Sequence, residues 1–172
     1  MAVEEHKRHA PKHVGCFVLT VSDTRDEASD QSGALIKDLL TGAHHRIVGY
    51  QIVKDEPTEI KCILQECLGD KNVQVVIVNG GTGIALRDGT YEVVSALLEK
   101  RLDGFGELFR FLSFAEIGSA AMMSRAVGGV TGGKALFSLP GSRAAVELAL
   151  KRLIVPELGH LAAQLQSHES KS

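Results

Sequence analysis

Val73-Gln74-Val75-Val76-Ile77-Val78-Asn79-Gly80-Gly81-Thr82-Gly83 passes from a β-branched run into a loop with three glycines in four residues. The apolar run, residues 73–78, is short and nearly continuous, which predicts a strand buried on both faces. Residues 80–89 are glycine-rich and read as a loop. Thr90 then stands where it can cap a helix reaching Lys100, with Val93, Val94, Leu97 and Leu98 turned inward.

The same alternation extends in both directions. Upstream, residues 14–22 (VGCFVLTVS) and 46–53 read as two more strands. Between them, residues 23–30 form an acidic loop, and residues 31–40 a helix with Leu35, Ile36, Leu39 and Leu40 at helical spacing. Residues 57–68 form the next helix, opened by Pro57 and carrying Ile60, Ile63, Leu64 and Cys67 on one face. Downstream, residues 105–114 and 116–123 read as two helices, and the glycine-rich stretch 126–134 as a turn or bent hairpin. Residues 135–139 form a strand, and after a break at Pro140-Gly141, residues 143–163 a closing amphipathic helix bent at Pro156. Strand and helix alternating three times predicts an α/β fold: a doubly wound, mostly parallel sheet with helices on both faces. A single domain is expected over residues 14–165, with a flexible arm at 1–13 and a polar tail at 166–172.

Composition narrows the function classes. A chain of 172 residues, 44% hydrophobic and 23% charged, fits one globular domain with a sizeable core. A net charge of −2 argues against gripping nucleic acid through its phosphates, and the absence of Trp with only two Tyr argues against a base-stacking platform. No apolar stretch approaches a membrane span, and none follows the charged start, so no membrane association and a cytoplasmic location are expected. Cys16, Cys62 and Cys67 suggest buried or half-buried thiols rather than disulfides. The seven scattered histidines have no ligand spacing, so no zinc site is expected.

In a doubly wound sheet, ligands bind beyond the carboxyl ends of the strands. That places the candidate site in residues 22–30, 54–57, 79–90 and 140–143. Gly80, Gly81, Thr82 and Gly83 let backbone N–H groups approach an anion, with the Thr82 hydroxyl as a further donor. A side chain at position 81 is expected to block that approach. Two apparent phosphate motifs are set aside. Residues 81–86 have Leu86 where a dinucleotide fingerprint needs its third glycine. Residues 128–135 (GGVTGGKA) have Ala135 where a P-loop needs Ser or Thr, and strand follows rather than helix. Asp55 and Asp88 can each be a helix cap or a ligand for a divalent metal. Two carboxylates and a glycine loop at one sheet end together favour Mg2+-assisted phosphoryl or nucleotidyl transfer. Ser142, after Pro140 and Gly141, can cap the last helix, leaving N–H groups for an anion. Glu107, Arg110 and Arg125 are second-tier candidates: surface ion pairs, or arginines in bidentate contact with phosphate.

These motifs occur together in one family. Thr20-Val21-Ser22-Asp23-Thr24-Arg25, Asp30 with Ser32-Gly33, Asp55-Glu56, Gly80-Gly81-Thr82-Gly83, Arg87-Asp88 with Thr90, Gly106-Glu107 with Phe109-Arg110, Ser124-Arg125-Ala126 and Leu139-Pro140-Gly141-Ser142 follow its order and spacing. The sequence resembles the molybdenum cofactor biosynthesis protein B / Mog family, related to the gephyrin G domain, from about residue 14 to residue 161. The run Glu116-Ile117-Gly118 is most similar to the protein B branch. The resemblance implies a three-layer α/β fold, trimers or paired trimers, and adenylylation of molybdopterin by Mg-ATP with loss of pyrophosphate. It further implies that Asp55 and Asp88 serve the reaction, with Asp88, and Asp55 as an alternative, holding Mg2+. Ser22, Asp23, Gly80–Gly83, Glu107, Arg125 and Pro140–Ser142 fall on the pterin- and phosphate-binding positions. ATP is then a substrate, no flavin is needed, and other enzymes of the pathway are candidate partners. Gly89 departs from the family's usual β-branched residue and is expected to loosen Asp88. A non-catalytic molybdopterin carrier is the alternative reading.

Overall fold

The computed structural model describes residues 11–166, so residues 1–10 of the expected arm and 167–172 of the tail lie outside the described residues. Six strands form one sheet: β1 (Gly15–Val21), β2 (Arg46–Val53), β3 (Val75–Asn79), β4 (Lys100–Arg101), β5 (Val127–Thr131) and β6 (Lys134–Leu139). Their order is β2-β1-β3-β6-β5-β4, with β2, β1, β3 and β6 parallel and β5 antiparallel to both its neighbours.

The chain winds both ways from the centre. Helix α1 (Gln31–Gly42) carries it from β1 out to β2, and α2 (Pro57–Gly69) carries it back past β1 to β3. Both crossovers are right-handed only if the two helices lie on opposite faces of the sheet. The two cores show that they do. Cys16, Val18, Val75, Ile77 and Phe137 face Ile36 and Leu40 of α1. Leu19, Val21, Val76, Val78 and Leu136 face Ile60 and Leu64 of α2 and Val94 of α3 (Thr90–Leu97). Alternate residues of each strand thus feed different cores, as the two-residue period of a strand requires. All five residues of β3 are buried, as the opening run predicts. The first layer also contains α4 (Asp103–Ile117), α5 (Arg143–Ala149) and α6 (Val155–Gln166), so the fold has three layers.

Four local expectations need correction. The helix expected from Thr90 to Lys100 ends at Leu97, and Gly89 rather than Thr90 occupies the cap. Lys100 and Arg101 instead pair with Val130 and Gly129 as β4, an approach that the bare Gly129 permits: a Cβ there would lie 2.3 Å from the Lys100 carbonyl oxygen. The two helices expected over residues 105–123 are one α-helix, α4, followed by a 3-10 segment, Gly118–Met123. The break falls at Gly118, whose φ is +63°. The closing helix is interrupted by a π-helical stretch, Leu150–Ile154, immediately before α6. Pro156 has no N–H and its ring crowds the carbonyl four residues back, so a wider turn at this point accommodates it. Cys62 is exposed, whereas Cys16 and Cys67 are buried as expected; burial pushes their thiols up to about 12 and about 11.

The glycine-rich stretch at 126–134 is the β5–β6 hairpin, turning at Gly132 and Gly133, which both have positive φ. The apparent P-loop is therefore a hairpin turn. Among the described residues, no helix is long and apolar enough to cross a membrane.

Candidate functional site

Strand register decides what meets at the sheet end. Val53 of β2 is level with Val21 of β1, Thr20 with Asn79 of β3, and Asn79 with Leu139 of β6. The segments after these four adjacent strands consequently emerge side by side, bringing Asp55, Ser22, Asp23, Gly80 and Pro140 to one edge. A cleft of about 560 Å³ opens there, lined by Ser22, Arg25, Gly80, Gly81, Thr82, Gly83, Asp88, Pro140, Gly141 and Ser142 among others. One wall comes from α4 and the following 3-10 segment: Phe109, Ser113, Glu116, Ile117, Ala120 and Met123.

The glycine loop has two kinds of glycine. Gly80 (φ +98°) and Gly81 (φ +65°) both have positive φ, a backbone conformation that residues other than glycine rarely adopt. Gly80 gives its own N–H to the Leu139 carbonyl, so it ties β3 to β6 rather than offering a donor. Among the described residues, nothing accepts from the N–H groups of Gly81, Thr82 and Gly83. The expectation for position 81 is corrected: a Cβ there points into the protein, 2.1 Å from Thr90 Oγ1 and 2.6 Å from Asp55 Oδ2, not toward a ligand. Asp55 therefore sits directly behind the loop.

Asp55 is nearly buried, at 9% exposure, and its Oδ1 accepts from the Gly89 N–H at 3.2 Å. Burial pushes its carboxyl upward. Asp88 and Asp23 push the same way, against the Gly89 N–H and Arg87. Asp88 lies beside Gly83 and accepts from the Ala85 N–H at 3.1 Å, while its own N–H donates to the Ala85 carbonyl. Those two bonds hold Asp88, so Gly89 does not set its orientation. Gly89 instead lets the loop close, since a Cβ would lie 2.9 Å from Pro57 Cγ. Asp23 accepts from the Asp55 N–H and pairs with Arg87. Among the described residues, no three His, Cys, Asp or Glu side chains group as a metal site. A divalent cation here would need oxygens from a bound phosphate as well as carboxylates, which is how Mg2+ is commonly held. The donor set fits such an ion: Asp55 is raised first by burial and then by the negative charge of Asp88 and Asp23, and a cation would offset that crowding of carboxylates.

This arrangement has a consequence for stability. The folded-state carboxyl of Asp55 titrates above its unfolded value, so the folded state binds that proton more tightly. Asp55 therefore detracts from stability above its folded pKa, and this penalty is relieved as pH falls toward the ordinary aspartate value. Asp55→Asn keeps an acceptor for Gly89 and removes the charge. Calorimetry at neutral pH is expected to show a Tm raised by about 2 °C, with the gain vanishing in acid. A lower Tm at neutral pH would contradict the assignment.

The remaining expected residues divide. Ser22 Oγ accepts from the Thr24 and Arg25 N–H groups and shapes the turn after β1. Ser142 is the cap of α5, its Oγ accepting from the Ala145 N–H. Arg125 is not available for phosphate. It donates to the carbonyls of Thr82 and Gly83, pairs with Glu92 and lies over the Tyr91 ring, bracing the glycine loop from outside. Arg110 donates to the Ala126 carbonyl. Glu107 is exposed on α4 and does not line the cleft.

Sequence reasoning passed over Arg25 as a site residue. Its guanidinium donates to the Gly141 carbonyl at 3.0 Å, and Ser32 Oγ donates to the same oxygen at 2.8 Å. Arg25 in turn stands 3.6 Å from buried Asp30. Burial raises the Asp30 carboxyl, but hydrogen bonds from Thr20, the Gly33 N–H and Tyr50, with Arg25, outweigh it and hold the group below its ordinary value. Arg25 is thus a fixed cation at the cleft. The signal was present in the run Ser22-Asp23-Thr24-Arg25 at the end of a buried strand.

Fold and cleft together define a doubly wound α/β protein whose sheet end carries a cleft with unpaired loop N–H groups and a carboxylate behind them. A family described as "Probable molybdopterin binding domain" matches residues 17–160. The chain belongs to the molybdenum cofactor biosynthesis protein B / Mog family. It is 53% identical over 166 residues to molybdenum cofactor biosynthesis protein B of Halalkalibacterium halodurans, covering 96% of this chain and 98% of that one. Similarity to the Bacillus subtilis protein of that name is 50% over 168 residues, with the same coverage. Among solved structures, a molybdenum cofactor biosynthesis protein B superposes with a TM-score of 0.89 at 51% identity, over 92% of this chain and 99% of that one. The tungsten cofactor synthesizing protein MoaB from Pyrococcus furiosus gives 0.82 at 38% identity, over 91% and 99%.

Proposed function

We propose that this chain acts in molybdenum cofactor biosynthesis by binding molybdopterin in the cleft and transferring an adenylyl group from Mg-ATP to its phosphate. The observation that carries the proposal is the glycine loop of free N–H groups with Asp55 behind it and Asp88 beside it. The family description and the names of the relatives supply the pterin. In the reaction, an oxygen of the molybdopterin phosphate attacks the α-phosphorus of ATP. One P–O bond forms there, the α–β anhydride bond breaks, and pyrophosphate leaves with the electron pair.

The chain's part is positioning and charge. The N–H groups of Gly81, Thr82 and Gly83 receive phosphate oxygens, and Arg25 adds a fixed positive charge across the loop from Asp88. Asp88, with Asp55 behind it, would hold Mg2+, which neutralises phosphate charge when bound. The α4 wall lines one side of the cleft with mostly apolar surface. Pyrophosphate release that depends on both molybdopterin and ATP tests the reading. Tight pterin binding without any pyrophosphate would make the protein a carrier instead.

The same reading includes self-assembly as a trimer or a pair of trimers. Phe105 and Phe109 of α4 enter the core, but Leu108, Phe111, Phe114 and Met122 remain exposed, Phe111 at 74%. Apolar surface of this extent, with aromatics and Met together, suits a subunit interface. Light scattering at micromolar concentration is expected to give three or six times the monomer mass; a single monomeric species would contradict it.

A further inference from the structure

Phe109, Ser113, Glu116, Ile117 and Ala120 recur at spacings of three and four, so one stripe of α4 and the start of the 3-10 segment forms a wall of the cleft. Apart from Glu116 this stripe is apolar or small. The ionisable residues lining the cleft are Arg25, Asp88 and Glu116. Arg25 and Asp88 are tied to the loops at the glycine end, through Gly141 and Ala85. Glu116 stands on the α4 wall, and phosphate binding gives it no task, because a carboxylate repels phosphate. A flat apolar wall suits the face of a ring system. A carboxylate only accepts hydrogen bonds, and its two oxygens suit two adjacent N–H donors.

We propose that Glu116 recognises the two-donor edge of the pterin, its ring N3–H and 2-amino group, and thereby determines which ring occupies this part of the cleft. The proposal rests on the reading that the cleft binds molybdopterin. It makes chemical exclusions. Adenine presents an amino donor beside a bare ring nitrogen, whose lone pair would face the carboxylate. A lumazine has a carbonyl in place of the 2-amino group and meets the same repulsion. A site built to hydrogen-bond one edge rejects analogues that lack it, because a charged acceptor is left unpaired. The adenine of ATP is thereby directed away from the α4 wall. Guanine shares the two-donor edge and is not excluded by it.

The test uses the full chain with 6-hydroxymethylpterin, the matching 6-hydroxymethyllumazine and a non-hydrolysable ATP analogue, titrated against wild type and Glu116→Gln. Glu116 is exposed, so the isosteric amide leaves packing undisturbed. Wild type is expected to prefer the pterin to the lumazine by at least about tenfold, the scale of one charge-assisted hydrogen bond. In Glu116→Gln the preference is expected to fall to about twofold, because an amide can turn its donor to the lumazine carbonyl. The ATP analogue is expected to compete with the pterin in Glu116→Gln and not in wild type, because an amide can pair with both the amino donor and the bare ring nitrogen of adenine. A variant that keeps the wild-type ratio overturns the role of Glu116 and leaves molybdopterin binding standing. Equal binding of both rings by wild type does the same. A wild type that binds neither ring overturns both readings.

Discussion

Replacing Asp88 by Asn is expected to lower adenylyl transfer about a hundredfold, a loss of about 3 kcal/mol in transition-state stabilisation. The side-chain oxygen that accepts from the Ala85 N–H is available in Asn, and the backbone bond from residue 88 to the Ala85 carbonyl is untouched. The loop should therefore keep its shape while losing the charge beside Gly83. An amide holds Mg2+ poorly where a carboxylate holds it well. Pterin affinity, measured by fluorescence titration, should change little, so the effect belongs to turnover. Turnover near the wild-type value would remove Asp88 from the reaction.

Gly80→Ala is expected to damage the fold itself. Its φ of +98° is strained for any L side chain, and an added Cβ would lie 2.1 Å from the backbone oxygen of Val21. That atom belongs to the backbone of β1, paired with β2 on one side and β3 on the other, and cannot swing aside as a side chain would. The Gly141 backbone also lies close to this loop, since a Cβ built on Gly141 would be 3.1 Å from Gly80 Cα. The cost is on the order of 3 kcal/mol, or a Tm lowered by about 6–12 °C. Gly42→Ala is the control, since nothing lies within 4 Å of its added Cβ. A Tm shift at Gly80 no larger than at Gly42 would show that the loop does not constrain the sheet end.

The two positions differ in how far the sequence announces them. The run Val75-Val76-Ile77-Val78 marks a central strand on its own, and the alternation around it yields the parallel, doubly wound sheet. The rule that ligands bind beyond the strands' carboxyl ends then located the four loops before any contact was visible. Strand β4 was invisible because Lys100 and Arg101 carry no apolar pattern; the pairing depends on the missing side chain of Gly129 across from them. The roles within the site were also hidden, because they depend on what lies behind each residue. Asp55 looks like a helix cap in the sequence, yet it is buried beneath Gly81. Arg125 reads in sequence as an ion pair or a phosphate ligand, and the fold decides for the ion pair, with two loop carbonyls and Glu92 occupying it. Arg25 lies within the candidate loop 22–30, but only the fold places it against Gly141 and Asp30.

The most direct test of the account follows one atom. The protein is incubated with molybdopterin, Mg2+ and ATP carrying a radiolabel on either the α- or the γ-phosphorus. Adenylyl transfer predicts that the α-label joins the pterin and the γ-label leaves in pyrophosphate. Label passing to the pterin from the γ position, or no transfer while molybdopterin remains bound, would contradict it.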